Sequence, residues 1–159
     1  MSTTTGISLP APRIDLGLLV LRVVLGVVFA AHGAQKLFVY GFAGVTGAFA
    51  QMGAPLPGVT GPAVALLEFF GGLALVFGLL TRLSGLGLAA TMVGAMVLVH
   101  LPAGFFAPNG IEFVLTLMAG ALALAVAGPG RYSLDHAIAA RRATAPVAEL
   151  RPLRRGVAA

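Results

Sequence analysis

Long apolar runs, rather than short alternating patterns, dominate this chain. Four stand out, at residues 16–38, 62–80, 83–101 and 110–127. At 1.5 Å per residue, helices of 18 to 23 residues reach roughly 27–35 Å, the thickness of a bilayer's hydrocarbon core. The pattern therefore predicts an all-α fold: a polytopic membrane protein built as a four-helix transmembrane bundle over residues 16–136. Residues 1–15 read as a disordered, Ser/Thr/Pro-rich lead-in, and residues 137–159 as a basic tail. A cleaved signal peptide could end near Val28-Phe29-Ala30. The first run is longer than a 7–15-residue signal core, however, and it contains Arg22, so it reads as a retained helix.

Between the first two runs lie 23 residues, 39–61, too many for a simple helix hairpin. Phe42, Val45, Phe49 and Met52 recur there at helical spacing, which suits a short interfacial helix with its apolar face down. A Gly/Pro-rich loop resting on the bundle is an equal alternative. After the fourth run, Gly128-Pro129-Gly130 ends the helix, and Ser133 can cap a short helix through Arg142.

Composition changes the picture in one respect. Charged residues make up 9% of the chain and hydrophobic residues 58%, against about 25% charged in a soluble domain. The solvent around most of this chain is therefore lipid. With no cysteine among its 159 residues, the chain has no disulfide framework, thiolate metal site or thiol exchange of its own. The net charge of +5 does not indicate a nucleic-acid partner. Five of the ten basic residues, Arg141, Arg142, Arg151, Arg154 and Arg155, lie near the C-terminus, where a juxtamembrane basic tail gains from anionic lipid. Arg13, Arg82 and that tail fall on one side of a four-span topology, whereas loops 39–61 and 102–109 carry no charge. The positive-inside rule then puts both termini on the cytoplasmic side.

The 22 glycines matter for packing, because helices in lipid associate through small residues. Gly26, Ala30 and Ala34 form a small-residue ridge on the first helix. Gly71-Gly72 and Gly85/Gly87 smooth the next two. A tight bundle follows, with room for a homo-oligomer.

Candidate chemistry rests on the ionisable residues within the spans, which are costly in lipid and need partners. His32 and Lys36 share a helix face, and Glu68 falls near the depth of His32. His100 and Glu112 meet the same outer layer, so these five residues read as one polar site. His32, Lys36 and Glu68 are the candidate catalytic residues, and all five are candidate cofactor ligands. Plainer roles stand beside these. Glu68 could form a structural ion pair with Lys36 or Arg22, and Glu112 could close a capping box with Asn109. His100 could simply meet interfacial water, and Arg22 could snorkel to the inner headgroups. A haem between His32 and His100 is disfavoured by an expected two-turn difference in depth.

The series His32, Gly33, Lys36, Phe38, then Glu68 with Gly71-Gly72, then Leu79-Leu80-Thr81-Arg82, resembles the DoxX family of bacterial membrane proteins. The ending Gly128-Pro129-Gly130-Arg131-Tyr132-Ser133-Leu134-Asp135 resembles that family's ending, so the likeness covers about residues 16–136. It implies a four-helix membrane protein. For some members it implies quinone-linked oxidation of sulfur compounds, and for others a role in oxidative-stress defence beside soluble redox enzymes. On this reading the chain is a subunit of a quinone-linked membrane oxidoreductase. It carries no flavin, nicotinamide or iron–sulfur motif, so a bound quinone would be its cofactor and electrons would come from a redox partner protein or a substrate. The alternatives are a non-catalytic anchor or assembly factor and, ranked last, a small transporter.

Overall fold

A computed structural model describes residues 11–143. The expected lead-in up to residue 10 and the tail from residue 144 lie outside them. The described residues form helices α1 (Ala11–Ala34), α2 (Gly41–Gln51), α3 (Pro57–Phe77), α4 (Thr81–Ala95), α5 (Glu112–Ala127) and α6 (Leu134–Ala143), with no strand. Two π-helical segments extend α1 and α4, Gln35–Tyr40 and Met96–His100. Three helical stretches are long and apolar enough to cross a membrane, and α5 is a shorter apolar helix. The main helices run up, down, up and down. The α2 segment and loop 101–111 lie at one end of the bundle, α6 at the other.

Two boundaries differ from the sequence pattern. The first helix begins at Ala11, so residues 11–15 are helical and not part of a lead-in. Asp15 is buried. At the other end the chain continues as a π-helix to Tyr40 and then turns at Gly41, whose φ of +65° suits glycine. Of the two readings of 39–61, the helix is the one found. Val45 of α2 is 2% exposed and packs on Gly61 of α3. Phe42 on the same stripe stays exposed.

Small residues set the main interface. A Cβ on Gly26 would stand 2.6 Å from the Gly72 carbonyl oxygen, and one on Gly72 would run into the Ala30 backbone nitrogen. Helices α1 and α3 thus meet backbone to backbone, the close approach that membrane packing favours. On α4, a Cβ at Gly85 would lie 2.7 Å from the Ala121 oxygen of α5. Helix α3 packs more loosely along α4 than along α1.

Phe29, Leu75, Leu88 and Leu124 fill the centre. The outside is apolar as well, with Val20, Val24, Val27, Phe70, Leu83, Leu86, Val97 and Val126 all exposed. A soluble protein rarely shows so large an apolar surface. Lipid is the solvent that accepts it.

Candidate functional site

Glu68 sits midway along α3, facing inward and only 4% exposed. A buried carboxylate needs a cationic or hydrogen-bonding partner, and Lys36 supplies it through an ion pair with Glu68 Oε2. Two local features place Lys36 there. Gly33, one turn earlier, lets α1 press against α3, since a Cβ at Gly33 would collide with the Phe69 backbone. Lys36 also lies in the π-helical segment, where the wider turn alters the direction of its side chain. Such segments recur at functional sites. The second π-helical segment ends on His100, so both of these irregular turns carry a site residue.

Two cavities adjoin the ion pair. The larger, about 550 Å³, lies among α2, α3 and α4, where Phe49, Met52, Val64, Leu67 and Leu98 line it together with Lys36 and Glu68. The smaller, about 200 Å³, is bounded by Phe29, His32, Met92, Phe113 and Leu117. Lys36, Glu68, Ala95 and His100 line both. The larger cavity thus lies beside the loose α3–α4 contact. Its volume falls within the roughly 300–1,000 Å³ of small-molecule sites.

The histidines are fixed from behind. His32 Nδ1 lies 2.9 Å from the Val28 carbonyl oxygen, and His100 Nδ1 lies 2.8 Å from that of Asn109. The His32 ring also leans on Phe113, with centroids 6.3 Å apart. Both histidines reach the smaller cavity. That cavity is nevertheless below the usual size for a bulky cofactor. Among the described residues no group of three His, Asp or Glu side chains could hold a metal.

Four of the five predicted site residues thus come together: His32, Lys36, Glu68 and His100. Glu112 does not join them. Its Oε1 accepts the Ala107 N–H at 2.7 Å and lines neither cavity. The expected capping box with Asn109 is not found, because α5 begins at Glu112 itself, with Ile111 at its N-cap position. The glycines beside Glu68 are taken up by packing, as the small-residue pattern predicts. Gly72 is used by the contact with α1, and Gly71 touches Leu67 and Leu88.

A second polar cluster lies at the α6 end. Arg22 is 1% exposed and does not snorkel. Its Nη2 donates to the Tyr132 carbonyl oxygen, while Nε and Nη1 have no protein partner. Asp135 accepts the N–H groups of Leu80 at 2.8 Å and Thr81 at 2.9 Å, and so caps α4. Asp15 accepts the Arg131 N–H at 2.9 Å. Ser133 Oγ accepts the His136 N–H at 3.1 Å, capping α6 as the sequence suggests. The segment 128–135 thus fastens α1, α3 and α4 together. Asp15 and Asp135 were missed by sequence reasoning. The signal that could have found Asp135 is its place at the close of the Gly-Pro-Gly ending, opposite the Thr81-Arg82 turn.

Comparison with known proteins supports this architecture. The DoxX family profile matches residues 17–101. The chain is 40% identical to the inner membrane protein YqjF of Escherichia coli, over 76% of this chain and 91% of that protein. It is 35% identical to a Bacillus subtilis protein named "Putative oxidoreductase CatD", over 76% of this chain and 86% of that one. No solved structure matches.

Proposed function

This chain belongs to the DoxX family, and on that premise we propose that it is a quinone-binding redox subunit of a bacterial inner membrane. The observation that carries the reading is the larger cavity. It is apolar along most of its wall, carries the Lys36–Glu68 pair on that wall and lies between α3 and α4. A quinone has the matching form, a polar ring on an isoprenoid tail. Lys36 can donate to a ring oxygen, Glu68 can accept a proton, and the tail can lie among Val64, Leu67 and Leu98 or pass into lipid. When bound, the quinone would supply the two-electron chemistry. The protein's own groups would position the ring, exclude water and hold protons. The oxidoreductase name of the Bacillus subtilis relative favours a redox role over a purely mechanical one. With both termini cytoplasmic, as the basic residues suggest, the site lies in the outer half of the bilayer, and electrons come from a partner protein or substrate.

Glu68→Gln tests this. The amide keeps the shape of the side chain but removes its charge. Mass spectrometry of the organic extract should find near-stoichiometric isoprenoid quinone in the purified wild type, and at least about tenfold less in the variant at equal folded yield. A loss of that size corresponds to about 1.4 kcal/mol. Quinone only at the level of co-purifying lipid in both proteins overturns the reading and favours an anchor or assembly role. If the variant fails to fold, the pair is structural, since removing one partner strands the other charge.

A further inference from the structure

The protons on the cavity walls are distributed unevenly. A carbonyl oxygen only accepts hydrogen bonds, so the ring nitrogen facing it must carry the hydrogen. His32 Nδ1 faces the Val28 carbonyl and His100 Nδ1 that of Asn109. Each neutral ring therefore has its lone pair at Nε2. The cavity hydroxyls are committed in the same way. Thr91 Oγ1 donates to the Leu88 oxygen at 2.7 Å, and Thr60 Oγ1 to the Pro55 oxygen at 3.0 Å. Glu68 carries a second carboxylate oxygen that accepts. Among the polar side chains lining the two cavities, only Lys36 has hydrogens left to donate to a ligand when the histidines are neutral.

From this inventory we infer that the site selects the reduced, dihydroxy form of an aromatic ring over its dione, the ring sitting where the two cavities share Lys36, Glu68 and His100 and its tail in the larger, with His100 and, from the smaller cavity, His32 accepting the ring hydroxyls through Nε2. The inference rests on the quinone-site reading and adds the redox form that is held. A dione presents two acceptors to walls that are themselves acceptors, and only Lys36 can serve them. A hydroquinone presents two O–H donors, and the backbone-tethered histidines are already in the tautomer that receives them. A buried donor or acceptor left unmatched is costly. That cost would fall on the oxidised ligand.

The test uses the full chain in detergent under anaerobic conditions, with decylubiquinol and decylubiquinone as probes in equilibrium dialysis. Wild type should bind the quinol about tenfold or more tightly than the quinone, the ratio expected from one or two additional neutral hydrogen bonds. In the His32→Asn/His100→Asn double variant, the asparagine amides can still donate to Val28 and Asn109 but offer no Nε2 lone pair. Quinol affinity should then fall about tenfold or more while quinone affinity stays unchanged, and each single variant should show part of the loss. Equal affinity for the two forms in wild type, or an undiminished preference in the variants, overturns the inference and leaves the quinone site standing. Binding of neither probe overturns both.

Discussion

Gly72→Leu is expected to prevent the bundle from forming, seen as loss of the monodisperse species on gel filtration in detergent. Ordinary overpacking costs about 1–3 kcal/mol because side chains and backbone can shift. At Gly72 the obstacle is the backbone of Ala30 and Gly26 on the neighbouring helix, which cannot move aside without parting α1 from α3. The cost therefore exceeds that range. The damage also reaches the site, because the same interface brings Lys36 to Glu68. Gly47→Leu is the control. Nothing lies within 4 Å of a Cβ there, so this variant should run as wild type. If Gly72→Leu also runs as wild type, the close α1–α3 contact is not what holds the bundle.

Asp135→Ala is expected to lower the thermal midpoint in detergent by an amount equivalent to about 2 kcal/mol. The carboxylate accepts two N–H groups at the start of α4. Loss of a helix cap alone costs about 0.5–2 kcal/mol, and bonds to a charged acceptor lie toward the strong end of the hydrogen-bond range. Partial exposure of Asp135 keeps the figure from rising further. Asp135→Asn should recover part of the loss, since its amide oxygen can still accept one N–H. An unchanged midpoint in the alanine variant would show that segment 128–135 is a passive appendage and not a fastening.

The architecture was legible in the sequence because lipid imposes a simple demand: a spanning segment must be apolar along its whole length. Runs of 18 to 23 apolar residues report that directly. The site was legible for a related reason. Ionisable residues in such runs are expensive, so His32, Lys36 and Glu68 stood out against a uniform background. What hydropathy cannot report is which distant groups meet. Arg22 looked like a residue reaching for the headgroups because its partner, the carbonyl of Tyr132, is 110 positions away. Asp15 fell just outside the first apolar run and was assigned to the lead-in, although its partner N–H is on Arg131. Glu112 was placed in the site on depth alone, and depth does not reveal that a loop N–H had already claimed its carboxylate. Gly72 was legible as a packing glycine, but not the backbone that it meets. A glycine beside a polar residue can open space for a ligand or let a helix approach, and only the neighbouring backbone decides between them.

The two π-helical segments have a consequence for how this chain tolerates changes in length. A π turn holds one residue more than an α turn, so each segment behaves as an inserted residue absorbed into a helix. Removing one residue from the second of them, before His100, would let the turn relax to ordinary α geometry and leave what lies beyond in nearly its present orientation, because the wide turn already absorbs the roughly 100° that an extra residue adds. His100 would stay at the cavity wall, and loop 101–111 would keep its place. A one-residue deletion in Val20–Val24 territory of α1 would instead put the whole small-residue ridge out of phase with α3. These segments thus work as angular adjusters: with the same residues wound as plain α-helix the chain could still cross the bilayer, but His100 would point elsewhere.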